Sequence, residues 1–239
     1  DYNAIEGEKV WDQSSGKASW RNRKPGQPFF HMQSFGTTHE SRLHFPNLSE
    51  PTKHAVEDQF VAPYHPDTTT FRHTNARYRD QIQKVDREIG AVVDQLEADG
   101  LLEDTFVFYF GDHGGVLPRG KGYAYESGLH VPLVVRVPEK WKSLAPEIGS
   151  RQTNFVSFID FGPTLLKLAG IPVPKGVDGK PMFGDRGESL AEAETSEPIA
   201  FGYADRFDEK IDFVRTIRMG EYEYVRSYQP FNFDGLQNN

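Results

Sequence analysis

Between Phe71 and Asp99, apolar side chains fall at Tyr78, Ile82, Val85, Ile89, Val92 and Leu96, spaced four, three, four, three and four residues apart. That repeat marks one face of an α-helix and predicts a long amphipathic helix. The hydroxyls of Thr68 to Thr70 suit its start and Gly100 its end. So long a stripe also fits a coiled coil, but the strand that follows at once favours a helix packed on a sheet. That strand, Thr105 to Phe110, is a continuous apolar run, the pattern of strands buried on both faces of a parallel sheet. Val131 to Val137 has the same character, with Pro132 and Pro138 at its bounds. Phe155 to Ala169 reads as helical, with Pro163 suited to the first turn of its second half and Gly170 closing it. Pro172 to Gly187 is a turn-rich connector. Pro198 to Tyr203, Phe213 to Arg218 and Glu221 to Ser227 read as strands, the last two flanking a hairpin turn at Met219-Gly220. Upstream, Asp1 to Gln27 is polar and irregular, with Trp11 and Trp20 as its anchors. Phe29 to Phe35 predicts a short strand, and Gly36 to Asp67 is a long loop without a period, the kind that carries function. The fold class is therefore α/β. A mostly parallel or mixed sheet flanked by helices is expected over residues 1–190, and the start of a small antiparallel sheet over residues 191–239.

Composition narrows the function classes. With 27 Lys and Arg against 35 Asp and Glu, the formal charge is −8, which argues against nonspecific binding to nucleic acid or an anionic membrane. No apolar run approaches the roughly 20 residues of a membrane helix. The aromatic share of 13% exceeds what a disordered chain carries. There is no cysteine, so disulfides, thiolate metal sites and a cysteine nucleophile are excluded within this span. The chain starts at Asp1, without Met or a leader pattern, and stops at Asn239 directly after a strand-like stretch; both ends are expected to be cut.

Candidate chemistry concentrates after the first buried strand, in Phe110-Gly-Asp-His-Gly-Gly115. Ligands of open α/β sheets bind beyond the carboxyl ends of strands, and glycines let backbone approach closely. Asp112 and His113 are accordingly placed as metal ligands or polar catalytic groups, with ordinary turn chemistry as the alternative. Lys121, in a glycine-flanked loop, suits an anionic substrate group, or is a solvated surface lysine. Glu126 either holds that loop or is a surface carboxylate. His39 can donate to an anion or a departing alkoxide. His31, His44, His54, His65 and His73 lie nearby without metal-ligand spacing, so packing is the competing account of His39. Tyr123 and Tyr125 can stack on a sugar ring or pack in the loop. Arg72, Asp205 and Arg206 are candidate specificity residues, with surface ion pairing as the alternative.

In combination, PFFHMQSFGTTHES, LLEDTFVFYFGDHGG, GKGYAYESGLHVPLVVRVP and FVSFIDFGPTLLKLAGIPVP resemble the type I sulfatases of the alkaline phosphatase superfamily. ADRFDEKIDFVRTIRMGEYEYVR is similar to the start of that family's small C-terminal sheet, so the resemblance covers nearly everything beyond residue 27. It implies that Asp112 and His113 bind a divalent cation, usually calcium, although calcium's preference for oxygen favours Asp112. It implies that Lys121 contacts sulfate and that His39 contacts sulfate or the leaving-group oxygen. His130 stands at a substrate-binding position where the family often has arginine. The family's nucleophile is a formylglycine made within Cys/Ser-x-Pro-x-Arg, accompanied by paired aspartates; neither motif occurs here, and both are expected upstream of Asp1. The implied function is hydrolysis of sulfate esters or N-sulfates, on a sulfated carbohydrate or another sulfate ester, by a periplasmic or extracellular parent, with this segment inactive alone. A phosphodiester or phosphonate monoester hydrolase of the same superfamily, or a non-catalytic binder of anionic glycans, are the alternatives.

Overall fold

The computed structural model describes residues 10–44, 48–145, 147–183, 199–207 and 210–231. The long helix, α1, runs Thr69–Ala98. Thr68 caps it by accepting from the N–H of Phe71 at 3.3 Å. At its far end Gly100 takes φ +67 and the Leu101 N–H reaches back to the Leu96 carbonyl at 2.9 Å, which satisfies orphan carbonyls of the last turn. Val85 and Leu96 of the predicted stripe are buried, while Ile82 remains 45% exposed.

The polar side of α1 is bound to the long loop. Arg72 grips Asp67 through two hydrogen bonds of 2.6 and 2.7 Å and donates to the carbonyls of Glu57 and Gln59. His73, also buried, donates from Nε2 to the Glu50 carbonyl at 2.8 Å. Asp80 accepts from the N–H groups of Lys53 and His54 and meets the His54 ring at 2.8 Å. Thr37 donates to Glu88 at 2.5 Å. The described part of the long loop, residues 36–44 and 48–67, is thus laid along α1 by polar side chains. Arg72, a specificity candidate from the sequence, serves this anchoring.

After α1 come β1 (Val107–Phe110), a short helix α2 (Glu126–Leu129) and β2 (Leu133–Arg136). β1 and β2 pair antiparallel, Phe110 opposite Leu133, where a parallel arrangement was expected for strands of this kind. The reason lies in the connection. Residues 111–132 leave and rejoin the pair at the same end, with the Gly111 N–H bonded to the Pro132 carbonyl at 3.2 Å, whereas a parallel return needs a crossover along the strand. α3 (Phe161–Leu168) is preceded by a separate 3-10 turn, Phe158–Asp160, so the helix predicted from residue 155 starts later. Asp160 closes a capping box with Ser157 there, which fixes the start. Phe161 packs on Phe108 and Phe110 (ring centroids 6.1 and 4.8 Å) and holds α3 against β1.

Phe29 to Phe35, expected as a strand, pairs with no strand among the described residues. Its aromatic rings are taken instead by tryptophans: Phe30 stacks on Trp11 at 5.9 Å and Phe29 on Trp20 at 6.1 Å. Trp20 is buried and donates to Asp99, which also binds Arg21, so the upstream segment is fastened to the end of α1.

The last three strands, β3 (Ile199–Phe207), β4 (Lys210–Met219) and β5 (Tyr222–Ser227), form an antiparallel sheet in the order β3-β4-β5. The turn falls one residue later than predicted, at Gly220-Glu221, because Met219 pairs with Tyr222. A register shift between Ala204 and Arg206 sets Phe213 at φ 51 on the bulged strand. The expected boundary at 190/191 lies outside the described residues, as does Pro198. This sheet touches the 111–132 loop: Ala124, Ala204 and Val214 form one buried cluster, and Leu129 packs where a side chain on Gly202 would stand. Among the described residues, no helix is long and apolar enough to cross a membrane.

Candidate active site

The loop between β1 and β2 is built on close backbone approach. A side chain on Gly120 would meet the Gly115 carbonyl oxygen at 1.8 Å, and one on Gly128 would meet that of Tyr123 at 2.2 Å. The Gly114 N–H bonds to the Gly128 carbonyl at 2.9 Å, and the Lys121 N–H to that of Gly115 at 2.7 Å. These contacts tie the Asp112-His113 turn to the Lys121 turn and fix where the lysine leaves the backbone.

The long loop supplies the other half. His39 begins a 3-10 turn, Glu40–Arg42, and its Nδ1 accepts from the Ser41 N–H at 3.3 Å. A neutral ring held this way carries its proton on Nε2. Nε2 lies 3.5 Å from the Lys121 ammonium and 4.0 Å from Glu40 Oε1. Glu40 Oε2 accepts from Lys121 at 2.8 Å. Two N–H donors therefore converge on one spot, with a carboxylate in contact with the lysine. The Lys121 hydrogen bond, opposed by burial and then reinforced by the lysine's charge, holds the Glu40 carboxyl below its usual range. Lys121 is the most shielded of the three, its side chain 24% exposed against 49% for His39 and 43% for Glu40.

The strand-end pair has its own logic. His113 Nδ1 donates to the Gly114 carbonyl at 2.8 Å, which leaves the neutral ring's lone pair on Nε2. That nitrogen faces Asp112 Oδ1 at 3.7 Å. These two electron-rich atoms, Asp112 on an 85% exposed side chain, are close enough to share a cation, so the donors present fit part of a metal's shell. They are two; among the described residues no cluster of three or more such side chains occurs. Tyr78 of α1 lies over the same turn, 3.8 Å from the position of a side chain on Gly115, and burial first, then the neighbouring Tyr109 and Asp112, push its phenol up.

The sequence-predicted residues separate into groups. His39 and Lys121 meet, and Asp112 and His113 stand together on the turn tied to the Lys121 loop. His130 is joined to Glu126 at 2.8 Å, and Glu126 to Arg218 of β4. No hydrogen bond or ion pair links His130 to His39, Lys121, Asp112 or His113 among the described residues. Glu126 thus holds the loop to the sheet. Asp205 pairs with Arg215 across β3 and β4. Glu40 and Tyr78 were not singled out by sequence reasoning; adjacency to His39 marked the first, while membership of the helical stripe disguised the second.

A strand ending in an acid–imidazole turn, a lysine-bearing glycine loop and a small antiparallel sheet behind it define an α/β chain of alkaline phosphatase-like fold. A solved structure in complex with its substrate D-glucosamine-2-N,6-O-disulfate shares that fold, with a TM-score of 0.54 at 24% identity over 69% of this chain and 34% of that one. The sulfatase family profile matches residues 6–171, and that of N-sulphoglucosamine sulphohydrolase, C-terminal, matches residues 111–235. The chain belongs to the sulfatase family. It is 33% identical over 255 aligned residues to an ulvan-active sulfatase of Formosa agariphila, covering 92% of this chain and 41% of that protein. It is 26% identical over 203 residues to the N-sulphoglucosamine sulphohydrolase of Homo sapiens, covering 84% and 39%. The chain spans about two-fifths of the length of these two relatives.

Proposed function

We propose that the protein containing this chain hydrolyses sulfate esters or N-sulfates of a sulfated carbohydrate. The observation carrying this reading is the convergence of Lys121 Nζ and His39 Nε2, 3.5 Å apart, beside the turn that bears Asp112 and His113. Sulfate cleavage places negative charge on nonbridging and leaving oxygens. An ammonium and an imidazole N–H fixed before substrate arrives stabilise that charge without reorganising. In this reading Lys121 binds a nonbridging oxygen, and His39 Nε2–H donates to the sulfate or to the departing oxygen. Glu40 must release Lys121 for that to happen, and it returns once the anion leaves.

Asp112 and His113 would hold a divalent cation, with Asp112 the ligand calcium favours; such an ion supplies further charge for the sulfate oxygens. The nucleophile, a formylglycine in this family by resemblance, lies outside these residues, which contain neither cysteine nor Ser-x-Pro-x-Arg. Residues 1–239 alone are therefore expected to be inactive. His130, linked through Glu126 to the sheet, would stand at the outer edge of the substrate site. Names of relatives that act on ulvan and on N-sulphoglucosamine support a carbohydrate substrate. A periplasmic or extracellular location of the parent is proposed from the family resemblance alone.

Sulfate release by the parent protein from sulfated saccharides tests the proposal. Lys121→Ala is expected to cut turnover by about 10²–10³-fold with the fold retained, and chelation of divalent cations to abolish it reversibly. Wild-type turnover in Lys121→Ala would refute the assignment. Faster release from the matching phosphate esters would move the protein to phosphoryl transfer.

A further inference from the structure

We infer that Arg119 is a second anion-binding group beside Lys121, so that the preferred substrate carries a second negative charge near the sulfate being cleaved. The inference rests on the sulfatase reading of Lys121 and adds a specificity element to it.

The backbone gives the first indication. Arg119 has φ 70, a left-handed conformation that residues with a Cβ rarely adopt. It is locked there from both sides. Ser127 Oγ donates to the Arg119 carbonyl at 2.6 Å, and the Gly120 N–H closes on Leu117 at 2.9 Å. Glycine would satisfy this conformation without strain, so the loop's geometry alone does not call for arginine.

The side chain gives the second. Its guanidinium lies over the ring of Tyr125 at 4.2 Å and that of Tyr64 at 4.9 Å, and Tyr123 stacks on Tyr125 at 6.2 Å. A guanidinium held over aromatic rings by cation–π attraction keeps N–H donors for an anion. Among the described residues no carboxylate lies within ion-pair distance of Arg119, whereas Arg72 on α1 and Arg218 on β4 each have one.

Position gives the third. One residue, Gly120, separates Arg119 from Lys121, which limits their Cα atoms to about 7 Å. One segment also covers both: His39 and Glu40 meet Lys121, while Tyr64 meets Arg119 and His65 Nε2 donates to the Pro118 carbonyl at 2.8 Å. Both cations therefore stand where the 36–67 loop crosses the glycine loop. Lys121 is neutralised by Glu40, and Arg119 is not. A uronate carboxylate or a second sulfate on the same or the adjoining sugar matches this chemistry.

The experiment uses the full-length parent and two substrate pairs. One pair is a sulfated uronate-containing disaccharide and its carboxyl-reduced counterpart; the other is glucosamine 2-N,6-O-disulfate and glucosamine 6-O-sulfate. The wild type is expected to favour the more anionic member of at least one pair, and which pair identifies the source of the charge. Arg119→Gly, which suits the backbone, should raise KM for that member about tenfold while kcat stays within about twofold, and should leave its partner unchanged. Arg119→Asn, which also tolerates φ 70, should behave alike, so loss through misfolding of one variant leaves the other as the test. Equal KM values for wild type and either folded variant on every substrate would overturn the inference while sparing the sulfatase reading. Failure of the wild type to release sulfate from any of the four would overturn both.

Discussion

Glu40 is the residue on which the site turns. Its carboxylate is bound to Lys121 at 2.8 Å; in the proposed reading it holds the position a substrate oxyanion would claim and orients the lysine before substrate arrives. The sequence marks His39 and Lys121 through residue type and motif. It does not mark the carboxylate between them, because the pairing spans 81 residues of separation (121 − 40 = 81). The same limit applies to Asp80. Burial pushes its carboxyl up, and the N–H of Lys53, the His54 ring and the His54 N–H together pull it further down, so the net value lies below the ordinary one. A carboxylate depressed in the folded state stabilises fully above its unfolded value, about 4, and that stability is lost as pH falls through the lower folded value. Hydrogen exchange in the parent, corrected for intrinsic rate, should show residues 48–60 losing protection as pH drops from about 7 to about 3. Asp80→Asn should flatten that dependence.

Legibility at the level of elements followed how local the determinants were. The helix of α1 was readable from its stripe, its threonine cap and Gly100, all of which act within a few residues. The direction of β2 was not, because an apolar run has the same composition in either orientation, and the closed loop at residues 111–132 decided it; nor was its exposure, Val134 standing 59% open where burial on both faces was expected. Phe29 to Phe35 has strand-like composition, yet Trp11 and Trp20, distant in character from any strand signal, take its rings. The glycine loop is the element that joins the site's two halves. Gly120→Ala in the parent would set a methyl group against the Gly115 carbonyl, where 1.8 Å is available, and must displace backbone. The expected outcome is loss of most sulfate release, by 10-fold or more on the order-of-magnitude costs of overpacking, with far-ultraviolet circular dichroism unchanged. Gly149→Ala, where nothing lies within 4 Å but φ is +80, is expected to leave activity intact at a modest cost in stability.

Across the whole molecule, large apolar side chains remain uncovered on several elements: Phe30 and Met32 upstream, Ile82 on α1, Val134 on β2, and Phe201, Tyr203 and Tyr222 on the C-terminal sheet. The chain spans about two-fifths of its relatives, and apolar surface on this scale is expected to be covered by other parts of the parent. Residues 1–239 expressed alone should bind an apolar dye such as ANS strongly and release no sulfate, whereas the parent should bind it weakly. Weak dye binding by the isolated segment would mean that it covers these surfaces by itself.

The central claim is that one oxyanion is held jointly by Lys121 and His39. A crystal structure of the parent with inorganic sulfate tests this most directly. The account predicts sulfate oxygens within hydrogen-bond distance of both Lys121 Nζ and His39 Nε2, with Glu40 withdrawn from the lysine. Sulfate bound elsewhere, with the Glu40–Lys121 pair intact, would contradict it.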